Sequence, residues 1–179
     1  MIHDVFVDAD MVLADFITGV ERHFNVTVPD GFGYDVARYF DRTWDVLKYD
    51  LDEEFYSSLP KMPWAQSLMK WLTHEFDNVY ILTSLEPIAG HINGRLIWLG
   101  IWFPEYMDKL IVTKHKHLLA RSTTLLIDDY PPHCKAWRAR RGTAVEVPSR
   151  WKGPVGDYNI IEAVAQAAGV TVPHKLGTE

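Results

Sequence analysis

The chain has 179 residues, 47% hydrophobic and 23% charged, which suits one domain, or a core with a modest insertion, and excludes a disordered chain. Its formal net charge of −6 argues against a protein that coats nucleic acid through a general positive field. A lone Cys134 cannot form an internal disulfide, and the sequence shows no leader and no membrane-length apolar run, so a cytoplasmic protein is expected.

In chain order, the first predicted strand is Val5–Val7, an apolar run that ends against Asp8 and Asp10. Residues 17–62 follow, rich in Asp, Tyr and Phe, with Pro29, Gly31, Gly33 and Pro60, and they predict short helices. Trp64–Phe76 predicts a helix whose apolar stripe is Trp64, Leu68, Trp71, Leu72 and Phe76. Strands are then predicted at Val79–Leu82, Leu110–Val112, Leu125–Ile127 and Ala144–Val147, and helices at Pro87–Trp102 and Asp157–Ala168, the last ended by Gly169. Strands alternating with helices imply right-handed crossovers, hence an α/β fold with a Rossmann-like parallel sheet flanked by helices. Residues 1–16 and 63–179 are assigned to the core domain. Residues 17–62 are read as a small helical cap inserted after the first strand, over the carboxyl ends of the strands, where open sheets bind ligands.

Each strand is followed by residues with chemistry. The first ends in Asp8-Ala9-Asp10, the second in Thr83-Ser84, the third in Thr113, Lys114 and Lys116, and the fourth in Asp128-Asp129. Strand ends on one edge of a parallel sheet converge, so four acids, a hydroxyl pair and a lysine are expected to meet. Carboxylates crowded without a cation would be strongly unfavourable, and a hard, oxygen-preferring ion such as Mg²⁺ relieves them while leaving positions for phosphate.

The motifs DADMVLADF at 8–16, LTS at 82–84, IVTKHK at 111–116 and LLIDD at 125–129 resemble those of the haloacid dehalogenase (HAD) superfamily of phosphatases. Within it the chain is most similar to the 5'(3')-deoxyribonucleotidase family, the likeness running through most of residues 4–150 and loosely through the cap. The resemblance implies an HAD-like core and an Mg²⁺-dependent phosphomonoesterase that hydrolyses nucleoside monophosphates. Asp8 would be the nucleophile that forms an aspartyl-phosphate, and Asp10 the acid to the leaving alcohol and then the base for water. Thr83, with Ser84 beside it, and Lys116 would bind phosphate; T-x-x-K spacing favours Lys116 over Lys114. Asp8, the Asp10 backbone carbonyl and Asp128 would coordinate Mg²⁺, with Asp129 acting through water.

Three residues depart from that family. Met11 stands where glycine is usual and would carry a cost if the backbone there needs positive φ. Tyr130 stands where arginine is frequent, and Trp64 replaces a glycine. All three are expected on the substrate side. Asp15 is read as structural, either capping a helix or salt-bridging near the cap hinge.

Other signals carry less. KAWRARR at 135–141 is read as a solvated helix face with Trp137 turned inward, not a nucleic-acid patch. His115, His117 and His133 lack a second ligand pair at zinc spacing. Phe16, Phe32, Tyr34, Tyr39, Phe40, Trp44 and Tyr49 are expected to form cap core, with one or two stacking on a base. The partner expected is a small nucleotide, with neither membrane nor nucleic acid, and a homodimer stays open. The alternatives are a phosphatase for another small phosphorylated metabolite or a nucleic-acid end, or an inactive binding protein on the same fold. A phosphorylation-receiver domain is disfavoured, because its paired acids follow the first strand and its lysine comes last.

Overall fold

The computed structural model describes residues 1–31, 36–41, 43–150, 153, 156 and 158–172, with backbone alone at 38, 44 and 45. Five parallel strands form one sheet in the order β3-β2-β1-β4-β5: β1 (Asp4–Val7), β2 (Asn78–Thr83), β3 (Leu110–Val112), β4 (Thr124–Asp128) and β5 (Thr143–Glu146). Val5 is registered with Val79 on one side and Leu125 on the other, so β1 is the centre of the sheet. The chain runs outward from β1 through β2 to β3, then returns to place β4 on the opposite side. Such a reversal leaves a crevice at the carboxyl ends of β1 and β4.

The apolar runs are continuous because helices cover both faces. Val5, Val7, Leu125 and Ile127 belong to the larger core cluster, while Phe6, Leu82, Leu126 and Trp137 pack on the other face. The flanking helices are α4 (Ala65–Glu75), α5 (Ala89–Trp102), α6 (Pro131–Ala139) and α7 (Ile160–Ala168). Helix α7 is capped by Asn159, which accepts from Glu162 N at 3.2 Å, and ends at Gly169 in the left-handed region, φ 70°. The predicted start of that helix, Asp157, lies outside the described residues.

Between β1 and α4 lie α1 (Phe16–Phe24), a 3₁₀ turn (Val36–Phe40), α2 (Trp44–Leu47) and α3 (Glu53–Ser57). Asp15 caps α1 by accepting from Thr18 N and Oγ1 at 3.0 and 2.8 Å, the first of the two structural roles expected of it. The apolar residues here share the core of the sheet: Ile17, Val20, Leu51, Phe55 and Tyr56 join the same cluster as Val5 and Val7. Helix α3 lies hard against α5. A Cβ at Gly94 would stand 2.5 Å from Glu53 O, and one at Gly90 would stand 3.0 Å from Glu53 N. Trp98 of α5 donates to Leu59 O at 2.7 Å, fastening the same junction. Phe32, Gly33 and Tyr34, named above for the cap, lie outside the described residues, as does the side chain of Trp44. None of the described helices is long and apolar enough to cross a membrane.

Candidate active site

The site begins where β1 runs out. Asp8 N donates to Ile127 O at 2.9 Å, continuing the sheet by one bond, and this fixes the Asp8 side chain over the β1–β4 crevice. Its Oδ1 accepts from Ala9 N at 2.8 Å and lies 2.7 Å from Lys116 Nζ. The same ammonium lies 2.8 Å from Asp128 Oδ2, so a buried lysine bridges the ends of β1 and β4. Asp128 also accepts from Tyr130 N at 2.9 Å and pairs with His133 Nδ1 at 3.1 Å. Carboxylate oxygens of Asp8, Asp128 and Asp129 all lie within 4.8 Å of one another.

Burial of these charges sets their electrostatics. Desolvation, with repulsion from Asp128 and Asp10, pushes the Asp8 carboxyl up to about 6 against the pull of Lys116. Burial, together with Asp8, Asp128 and Asp10, likewise raises Asp129 well above the usual carboxylate range. Burial works against the charge on Asp128 too, but Lys116 and His133 outweigh it and hold that carboxyl low. Desolvation opposes the Lys116 charge, yet Asp8 and Asp128 overcome it and raise the ammonium above its ordinary value.

Thr83 ends β2 with its hydroxyl buried and without a hydrogen-bond partner among the described residues, whereas Ser84 donates its hydroxyl to Thr113 O at 3.0 Å. Both line a cavity of about 420 Å³ whose floor holds Asp8, Asp10, Lys116 and Asp129. Lys114 turns away to Glu86 at 3.0 Å and is half exposed, so Lys116 is the lysine brought to the acids.

The three departures fall differently. Met11 is buried at φ 58°, in the left-handed region. It lines the cavity, as does Tyr130. Trp64 does not: its indole donates to Val12 O at 2.9 Å and meets Tyr158 edge-on, so it braces the 9–14 loop from behind. That corrects its expected place on the substrate side. The KAWRARR segment lies at the end of α6, with Trp137 fully buried and Arg138 donating to Ala144 O at 2.9 Å.

Sequence reasoning missed a second group. Arg95, on α5, is fully buried and donates from Nη2 to Asp10 Oδ1, while its Nε and Nη1 have no partner among the described residues. Its guanidinium lies between the rings of Tyr56, at 5.8 Å, and Trp98, at 5.6 Å. Tyr56, from α3, stacks flat on His91 of α5 at 4.0 Å and 11°. A signal was available in GHINGRLIWLG: two glycines four apart mark close approach of another backbone, and an arginine on that apolar helix demands a buried acid.

No family model and no curated protein matches the sequence. Solved structures match in shape. An HAD family hydrolase from Deinococcus radiodurans R1, with bound phosphate and sodium, matches with a TM-score of 0.55 at 14% identity, covering 94% of this chain and 89% of that chain. A predicted phosphatase from Clostridium acetobutylicum gives 0.53 at 10% identity, over 95% and 92%. An HAD family enzyme from Bacteroides thetaiotaomicron, in complex with magnesium and inorganic phosphate, gives 0.52 at 13% identity, over 88% and 98%. The chain has the HAD-like α/β fold.

Proposed function

We propose that the protein is a Mg²⁺-dependent phosphomonoesterase, and that its substrates are nucleoside monophosphates of the deoxyribonucleotide kind. The observation that carries the chemistry is the meeting of Asp8, Asp128 and Asp129 with Lys116, beside a cavity that is also lined by Thr83, whose hydroxyl has no partner among the described residues.

The donor set fits the metal. With Asp10 included, four acids face Lys116 and Arg95, a formal charge of −2 when all are ionised, which one divalent cation balances. Oxygens on one Mg²⁺ stand about 3–4 Å apart, given bonds of about 2.0–2.1 Å, so carboxylates gathered within 4.8 Å need little adjustment. Asp8 and Asp128 would hold it, together with the Asp10 carbonyl, and Asp129, gathered with them, would act through water. When bound it would neutralise this charge and polarise a phosphate oxygen.

The chain's own residues divide the rest. Ala9 N–H and Lys116 pin the Asp8 carboxylate. An Asp8 oxygen attacks phosphorus, the bond from phosphorus to the leaving oxygen breaks, and Asp10 gives that oxygen its proton. Asp10 then takes a proton from water, which displaces Asp8 and releases inorganic phosphate. Thr83 and Lys116 neutralise and orient the phosphoryl oxygens. Arg95 fixes where the Asp10 carboxylate points.

A cavity of about 420 Å³ suits a small ligand. Among the described residues lining it, Lys116 is the only lysine or arginine, which favours monophosphates over di- and triphosphates. Of the aromatic residues expected to stack on a base, Phe16 lines it. A substrate panel tests the reading: nucleoside mono-, di- and triphosphates, sugar phosphates, 3'-phosphorylated oligonucleotides and p-nitrophenyl phosphate, each with Mg²⁺ and with EDTA. Nucleoside monophosphates should lead, and EDTA should abolish turnover. Sugar phosphates outperforming every nucleotide would remove the nucleotide assignment, and full activity in EDTA would remove the metal.

A further inference from the structure

We propose that the wall of the cavity formed by α3 and α5 is a subsite for a hydroxyl group on the leaving alcohol, with His91 Nε2 as fixed donor and Tyr56 Oη as the group that answers it. The proposal rests on the phosphomonoesterase reading and adds the chemical class of the group being released: a polyol or sugar, free or as part of a nucleoside.

His91 is 5% exposed and Tyr56 1%, and both line the cavity. Neither His91 Nε2 nor Tyr56 Oη has a hydrogen-bond partner among the described residues. Buried polar atoms are nearly always satisfied, so two of them without a partner among the described residues, on side chains that line the same cavity, point to a ligand that reaches both. The tautomer follows from the other ring nitrogen. His91 Nδ1 accepts from Glu86 N at 3.1 Å, so the single proton of the neutral imidazole resides on Nε2. Burial keeps the ring neutral, lowering it to about 4, and burial likewise raises the Tyr56 phenol, which stays protonated. Flat stacking at 4.0 Å locks the two rings together, so donor and hydroxyl are presented as a unit.

A substrate hydroxyl matches this pair, accepting from His91 Nε2–H and donating to Tyr56 Oη. A second anionic group does not, because the pair carries no positive charge. Glu86, also lining the cavity, presents a carboxylate, and Lys116 is already committed to Asp8 and Asp128. The subsite adjoins the leaving oxygen: the Tyr56 ring lies 5.8 Å from the Arg95 guanidinium that bonds to Asp10.

Matched substrates test it. Glycerol 3-phosphate is compared with propyl phosphate, and a nucleoside 5'-monophosphate with its 2',3'-dideoxy counterpart, as ratios of kcat/KM, with p-nitrophenyl phosphate as reference. The wild-type enzyme should favour the hydroxylated member of at least one pair by about tenfold or more. A preference in the nucleotide pair alone assigns the hydroxyl to a nucleoside sugar, and one in both pairs assigns it to polyol phosphates at large. Tyr56→Phe keeps the ring and its stacking. His91→Asn places an amide oxygen near the position of Nδ1 for Glu86 N but removes the Nε2 donor. Both should bring the ratio towards one, and thermal melts establish that each is folded; should His91→Asn fail to fold, Tyr56→Phe decides. A wild-type ratio near one alongside brisk aryl phosphate hydrolysis, or variants that keep the wild-type ratio, overturns the subsite alone. No aryl phosphate hydrolysis with Mg²⁺ overturns the phosphomonoesterase reading and the subsite with it.

Discussion

The strand-end half of the cavity is built from Asp8, Thr83, Lys116 and Asp129, whereas the half facing α3 and α5 is built from Tyr56 and His91, with Arg95 behind them. In the first, charges crowd each other: Asp8 and Asp129 are both pushed up by burial and by neighbouring acids. In the second, the His91 and Tyr56 side chains are neutral, and the Arg95 guanidinium beside them is spent on Asp10. The proposed phosphomonoesterase chemistry assigns the first half to a doubly charged phosphoryl group and a metal, and the second to the leaving alcohol. Their origins differ as well. Strand-end residues are placed by one operation, the formation of a parallel sheet, while Tyr56 and His91 meet only because α3 packs onto α5.

The largest effect should come from breaking the charged half. Asp8→Asn keeps the shape and removes the attacking oxygen, so kcat should fall by at least about 10³-fold. Stability should move the other way. Above pH 6 the Asp8 carboxylate is ionised in a fold that disfavours the charge, as its rise to about 6 records. Without metal, Asp8→Asn should therefore melt no lower than wild type, and calorimetry in EDTA reads this directly. Near-wild-type turnover would end the nucleophile assignment. A large drop in melting temperature would mean that the Lys116 bridge, rather than repulsion, dominates at Asp8.

This contrast explains what the sequence made legible. Asp8, Thr83, Lys116 and Asp128 each stand within a few residues of an apolar run, and strand ends of a parallel sheet share one edge, so position in the chain gave position in space. Strand boundaries came out within a residue or so for the same reason: Leu110–Val112 is unchanged, and Leu125–Ile127 grows by Thr124 and Asp128. Arg95, His91 and Tyr56 had no such rule. Tyr56 and His91 are 35 positions apart and touch through a helix–helix contact that only the packing of Gly90 and Gly94 reveals. Trp64 was misplaced because glycine replacement says that something changed, not which way the new ring turns; it turned to Val12 O. Met11 was read correctly as a conditional cost. Its φ of 58° meets the condition, and a fully buried side chain offsets a strain of about 1 kcal/mol.

A smaller effect should follow from forcing α3 and α5 apart. In Gly94→Ala the new Cβ would stand 2.5 Å from Glu53 O and 2.7 Å from Tyr56 Cβ, and the first of these is backbone. Overpacking costs about 1–3 kcal/mol, a 2.5 Å clash with backbone belonging to the upper part at about 2–3, and better helix propensity returns about 1. Urea unfolding should show a net loss of about 1–2 kcal/mol, with KM for nucleotides rising more than KM for p-nitrophenyl phosphate. A variant as stable as wild type would make α3 a movable lid instead of a fixed wall.

The smallest effect separates the halves by the sign of their pH dependence. His91 titrates at about 4 in the folded protein and near 6.5 in the unfolded chain, chiefly because burial disfavours the imidazolium, with Arg95 and Lys114 adding to this and Asp10 and Glu86 opposing it. Between these values the unfolded chain holds the extra proton, so stability contributed by neutral His91 is present above pH 6.5 and is lost as the pH falls towards 4. From pH 7 to pH 5 the loss is about 1–2 kcal/mol. Asp8 has the opposite slope: its raised carboxyl keeps a proton that the unfolded chain gives up, so metal-free stability is lost as the pH rises from 3.8 to about 6. The two partly cancel in the wild-type protein, and only a difference resolves them. Subtracting the unfolding free energy of His91→Asn from that of wild type at each pH, in EDTA, should leave a curve that climbs between pH 5 and 7. Subtracting that of Asp8→Asn should leave one that descends between pH 4 and 6. A flat first curve would mean that His91 is solvated when folded, and the neutral wall would then have to be rebuilt around Tyr56 alone.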